Sequence, residues 1–261
     1  MSNVDDHPAL PGLRDYSGEE TSLQGVSEIL AVVSQLQDAN VPSCVIGVKA
    51  LRYYGAARVT DEWDLCIPDN KLEEARHLLL SAADGAKYEV AQGPYPVPWS
   101  RRHAFPCFRL KGYNFWFILV PSSDCFVDPS IASHVEKSRN GVPYAALVQF
   151  SRSLLLQQMV ADIADFIDGM DLTVDWGAEN IGFATLQEQG AAFIERRNEQ
   201  AMADSGRYGF LSPQPLEELW DEMASKEAKE RRIEPMKQGR YFTRWRRIKS
   251  PEDPRTKDRP V

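Results

Sequence analysis

The sequence predicts an α/β (α+β) chain, with a mixed sheet and flanking helices in its first half and a mostly helical C-terminal half. Three observations carry that expectation. The apolar run Cys44 to Ile46 stops at Gly47 and passes into a helical stretch, Lys49 to Tyr54, so a strand delivers its backbone to a helix N-terminus. Further short strand patterns recur up to Val120, two of them joined at Lys111-Gly112 in the manner of a hairpin. From Pro143 onward the apolar residues return at intervals of three and four.

Each element has its own signal. Residues 1–20 are rich in Pro, Gly and charge and read as a flexible lead-in. From Ser22 to Ala39, Leu23, Val26, Ile29, Leu30, Val33 and Leu36 recur at helical spacing, and Asn40 supplies the stop. Glu62 and Asp64 alternate with Trp63 and Leu65 in a strand, which puts both carboxylates on one face. Asp69-Asn70 caps a helix whose Leu72, Ala75, Leu78 and Leu79 point inward. Lys87 to Ala91, Ala104 to Leu110 and Tyr113 to Val120 read as strands, and the proline-rich run from Gly93 to Pro98 reads as a loop, because proline cannot donate to a sheet ladder. Ser122 to Gly141 is polar and irregular. Pro143 to Asp165, Thr185 to Ala203 and Leu216 to Arg232 read as three helices. The domain organisation expected is a lead-in over 1–20, an α/β core over 21–125, a helical region packed on it over 126–232, and a basic, aromatic arm over 233–261.

Composition narrows the function. With 261 residues and 43% hydrophobic content the chain can bury a sizeable core. A net charge of −8 argues against a surface that embraces nucleic acid as a whole. The charge is uneven: from Ser225 on, 13 Lys/Arg face 6 Asp/Glu, so the arm region is basic and the rest strongly acidic. In that arm Tyr241, Phe242 and Trp245 alternate with arginines. Such a mixture suits RNA stacking, but self-docking onto the acidic body is favoured, since three large aromatics prefer burial. Cys44, Cys66, Cys107 and Cys125 occur singly and read as reduced core thiols. No stretch reads as a membrane span or secretion signal, so a cytoplasmic protein is expected. The chain has no Ser/His/Asp set and no H-E-x-x-H helix, which leaves hydrolase chemistry without support.

The segment from Val45 to Pro68 says most about chemistry. Gly47 would let the backbone turn tightly and bring amides toward an anion, with Lys49 beside it, and Glu62 with Asp64 could share a hard cation such as Mg²⁺. The spacing of Gly47, Ala50, Leu51, Gly55, Arg58, Thr60 and Asp64 resembles the nucleotidyltransferase superfamily of the DNA polymerase β type, especially its minimal, toxin–antitoxin-like branches. The run from Tyr53 to Asp69 also resembles uncharacterised proteins of filamentous fungi. Three departures accompany the matches: Val48 stands where the family has a second small residue, Glu62 replaces the first Asp of Asp-x-Asp, and no acid occurs near Phe117, where a third carboxylate is expected.

The resemblance implies a nucleotidyltransferase-like fold and, as function, metal-dependent transfer of a nucleoside monophosphate from an NTP to a hydroxyl or amine. Glu62 and Asp64 would be catalytic and hold Mg²⁺ or Mn²⁺, and Gly47, Lys49, Arg58 and Thr60 would contact the nucleotide phosphates. The alternative is a catalytically degenerate member that binds nucleotide, RNA or protein. Each residue also has a structural reading: Arg58 could simply pair with Asp61 or Asp64, and Arg101-Arg102-His103 could be a solvated loop instead of a substrate contact. An acid such as Asp61 or Asp124 close to Glu62 and Asp64 would favour the enzyme; an apolar wall at Phe117 would favour the binding module.

Overall fold

The computed structural model describes residues 25–56, 58, 60–81, 87–97, 100–205, 212–237 and 252–256. The first helix, α1 (Val26–Asp38), buries Val26, Ile29, Val32, Val33 and Leu36, one stripe at the spacing of a helix face. It ends where Asn40 takes φ +57, a left-handed conformation that asparagine tolerates. Strand β1 (Cys44–Ile46) then leads straight into α2 (Gly47–Tyr53). Strand β2 (Glu62–Ile67), helix α3 (Leu72–Leu80) and strands β3 (Tyr88–Val90), β4 (Cys107–Leu110) and β5 (Trp116–Pro121) complete the region expected to be the core.

Beyond it come a one-turn helix α4 (Ser122–Cys125), strands β6 (Val135–Lys137) and β7 (Pro143–Ala145), and helices α5 (Leu147–Leu156), α6 (Val160–Met170), α7 (Val174–Asn180), α8 (Phe183–Ser205), α9 (Leu216–Ala224) and α10 (Lys226–Lys237). The strands form one mixed sheet in the order β3-β4-β5-β2-β1-β7-β6. β2 runs parallel to β5 and antiparallel to β1, and β7 lies parallel to β1. This is the expected fold class, a mixed sheet with flanking helices followed by a mostly helical half.

Two expectations are corrected. The segment from Ser122 to Gly141 is not irregular throughout, since it contains α4 and β6. The single helix expected from Pro143 to Asp165 is a strand and two helices. Pro143–Ala145 joins the sheet because Tyr144 stacks on Tyr53, with ring centroids 4.2 Å apart, and is fully buried. The helix then breaks where Gln158 takes φ +51. Three-residue strands have no room to show alternation, and an apolar run gives no sign of a break inside it.

Aromatic side chains build the centre. Tyr54 lies against Phe150 and Phe166, joining α2 to α5 and α6, and its hydroxyl donates to the Ala145 carbonyl at 2.6 Å. At the far side Trp220 of α9 is buried against Trp176. All four cysteines are free and buried. Among the described residues no helix is long and apolar enough to cross a membrane.

Candidate functional site

The site begins where β1 turns into α2. Gly47 has φ +64, and a Cβ built there would collide with Oδ2 of Asp64, which pairs across the sheet with Ile46. Glycine is therefore required twice, by the left-handed backbone and by the close approach of a carboxylate. Asp64 is buried, and burial pushes its carboxyl above the usual range while Arg102 pulls it back down. Glu62, two residues earlier on the same strand, is more exposed, and its amide donates to Thr60 Oγ1 at 3.2 Å.

The two carboxylates converge on one cation supplied by the chain itself. Nη2 of Arg102 donates to Glu62 Oε2 at 2.7 Å and to Asp64 Oδ1 at 2.7 Å, and its Nε reaches Asp64 Oδ1 at 3.1 Å. Arg102 opens a single 3₁₀ turn, Arg102–Ala104, just before β4. The run Arg101-Arg102-His103 was legible in the sequence as a loop beside the cleft, but its partner was not.

Gly47, Asp64 and Arg102 line a cavity of about 280 Å³. Its polar wall includes Gly47, Arg58, Asp64, Arg102, Asp124, Asp162 and Arg197, and its apolar wall includes Pro94, Tyr95, Phe105, Phe150, Leu154 and Met159. Besides the Arg102 pairing, two further ion pairs contribute to its wall. Arg58 binds Asp162 at 2.7 Å and also Asp165, both on α6, in place of Asp61 or Asp64. Arg197 of α8 reaches Asp124 at 3.3 Å, both only 5% exposed. His103 Nδ1 is buried in the wall with no hydrogen-bond partner, an unmet polar group of the kind that a ligand or water satisfies.

Lys49 stands apart from these. It lies buried with Nζ 4.6 Å from the centre of the Trp63 ring, and Trp63 points to the sheet face opposite Glu62 and Asp64. Burial, helped by Arg52 and opposed by Asp61, draws its amine down to about 8. The structure thus gathers Gly47, Arg58 and Asp64 around the cavity, puts Glu62 and Thr60 beside it, and holds Lys49 away.

The register also sorts the residues of β5 by face. Glu62 pairs with Trp116 and Asp64 with Ile118, so these β5 residues share the carboxylate face, whereas Phe117 pairs with Trp63 on the other. Ile118 is fully buried and apolar. Among the described residues no three His, Cys, Asp or Glu are grouped to hold a metal ion. Two carboxylates converging on one cationic nitrogen do fit a shared divalent cation, provided that a ligand's oxygens complete its shell. Arg197 and Asp162 could not be foreseen: each is a charged residue on a helix, distant in sequence, with no pattern that marks it.

No family model matches the chain, and no curated protein does. Several solved structures are similar at low identity. One is the antibiotic-resistance factor ANT(2")-Ia in complex with adenylyl-2"-tobramycin, at 12% identity and TM-score 0.37, over 66% of this chain and 97% of that one. A second is a candidate nucleotidyltransferase from H. pylori, at 13% identity and TM-score 0.33, over 81% of this chain and 96% of the other. A third is the Megavirus polyadenylate synthase, at 11% identity and TM-score 0.27, over 88% of this chain and 48% of that one.

Proposed function

We propose that this chain is a nucleotidyltransferase-fold protein that binds a nucleoside triphosphate with Mg²⁺ or Mn²⁺ in the cavity and transfers the nucleoside monophosphate to a hydroxyl or amine acceptor. The observation that carries the reading is the convergence of Glu62 and Asp64 on one cation directly beside the Gly47 turn. In such a transfer the acceptor atom bonds to the α-phosphorus, the bond from that phosphorus to the oxygen bridging the β-phosphate breaks, pyrophosphate leaves, and the acceptor's proton passes to solvent. A divalent cation held by Glu62 and Asp64 would supply charge neutralisation to those phosphates. Gly47 lets the Asp64 carboxylate come close to the backbone of the turn, so that a cation held there would lie beside the phosphates that Arg58 and Thr60 border. Lys49, packed on Trp63, steadies the turn from behind. Asp124 and Asp162 also line the cavity, but each is held by an arginine, so neither is a free proton acceptor at rest.

A second reading, a module that binds the nucleotide without transferring it, is favoured by one observation: Ile118 occupies the β5 position beside Asp64, where a third carboxylate would stand. One pair of experiments separates the two. Thermal denaturation is followed with a panel of NTPs, each with and without Mg²⁺ or Mn²⁺, and release of pyrophosphate is then measured. A triphosphate at a hundredfold its dissociation constant is expected to add about 2.7 kcal/mol of stability. Stabilisation with pyrophosphate release supports transfer, and stabilisation without it supports the module. If no triphosphate stabilises the protein, both readings fall.

A further inference from the structure

Arg102 sits where a shared cation would. We propose that it is an exchangeable counter-ion: at rest it neutralises Glu62 and Asp64 and holds a divalent cation off, and it releases them only when a triphosphate is present to receive its guanidinium. This rests on the triphosphate reading above.

Three features support it. The first is position. A single nitrogen, Nη2, lies 2.7 Å from an oxygen of each carboxylate, so the acids are already arranged around one positive centre. The second is charge. A divalent cation arriving alone must expel Arg102 from both carboxylates into a cavity whose lining acids Asp124 and Asp162 already hold Arg197 and Arg58, so the guanidinium gains little in exchange. Arriving with a triphosphate, the cation balances both carboxylates while the displaced guanidinium gains phosphate oxygens, which it can bind bidentately. The third is freedom to move. Arg197 and its partner Asp124 are each 5% exposed, and Arg58 is gripped by two carboxylates of one helix. The Arg102 side chain is 33% exposed and stands on the connection between β3 and β4. It is far more open to the cavity than Arg197 and about as open as Arg58, whose side chain is 28% exposed.

The exchange makes cation and triphosphate bind cooperatively, and the coupling is reciprocal. It is tested on the full chain by electron paramagnetic resonance of Mn²⁺, with inorganic tripolyphosphate as the probe and thermal denaturation in parallel. Wild-type protein is expected to take up Mn²⁺ weakly alone and about tenfold or more tightly with tripolyphosphate. Arg102→Gln is expected to bind Mn²⁺ alone about tenfold more tightly than wild type and to lose most of that coupling. Arg102→Lys, which keeps a cation in place, should resemble wild type toward Mn²⁺ alone.

If Arg102→Gln and wild type bind Mn²⁺ equally while Mn²⁺ with tripolyphosphate still raises the melting temperature of both, the exchange is wrong and the triphosphate reading survives. If that mixture and Mg²⁺ with NTPs leave wild type unshifted, both are wrong. Should Arg102→Gln fail to fold, the wild-type titration decides alone: equal Mn²⁺ affinity with and without tripolyphosphate overturns the exchange.

Discussion

At the scale of single residues, Lys49 shows how much a side chain's fate depends on the face it is given. Its amine, drawn down to about 8 by burial, lies below the usual lysine value of roughly 10.4. Between those two values the unfolded chain binds more protons than the folded one, so stability rises as pH rises through that window. Below about 8 both states are protonated and the full cost of burying the charge is present. Lys49→Met is therefore expected to be more stable than wild type at pH 7, by about 1–3 kcal/mol at 1.36 kcal/mol per pKa unit, less what the Trp63 contact returns. Urea denaturation at several pH values from 7 to 10 checks this. A variant that is less stable, with an unchanged pH slope, would show that the aromatic contact outweighs burial. The sequence revealed Glu62 and Asp64 because a two-residue period fixes a face by itself. It could not show that Lys49 packs on Trp63, because the direction of a side chain on a seven-residue helix depends on how the helix rests on the sheet, and that is a matter of tertiary packing.

At the scale of elements, the segment 252–256 carries the clearest expectation. Pro254 is buried against Gly55, which has φ +96 at the end of α2, and a Cβ there would lie 3.0 Å from Pro254 Cγ. Arg255 Nη1 meets Glu136 Oε1 at 3.3 Å, and the same oxygen accepts from the Tyr53 hydroxyl at 2.9 Å. The region after Ser225 is basic and the body acidic, and at this point the two meet, whereas Tyr241, Phe242 and Trp245 lie outside the described residues. Deletion after Gln238 is expected to lower the melting temperature, by about 2–4 °C for every kcal/mol lost in a chain of this size. A truncated protein that melts like the full chain would remove the segment from the stability of the fold. The long regular elements were legible, because a repeated stripe such as that of α1 survives local noise. The short strands β6 and β7 were not, since Tyr144 is in the sheet for its stacking on Tyr53, a contact that nothing local records.

At the scale of the whole molecule, the cavity joins residues as far apart as Gly47 and Arg197, so its position beside the glycine turn could be read from sequence but its opposite wall could not. That wall is fixed in an unusual way. A Cβ on Gly169 of α6 would collide with the Tyr54 carbonyl and come within 3.1 Å of the Ala56 amide nitrogen, so α6 rests backbone against backbone on the turn after α2. Arg58, two residues beyond that turn, is bound to Asp162 and Asp165 of the same helix. Both attachments hold the helical half in place, whereas the other side is the run that carries Pro94, Tyr95 and Val97, with Tyr95 89% exposed. If the exchange proposed above holds, a triphosphate and its cation must displace Arg102 from Glu62 and Asp64 while both attachments stay in place. Uptake then has a speed limit set by the protein. In stopped-flow mixing with a fluorescent ATP analogue and Mg²⁺, the observed rate is expected to level off as ligand concentration rises, and the plateau is the frequency at which Arg102 leaves its two carboxylates. A rate that keeps climbing in proportion to concentration would mean that no such release precedes binding.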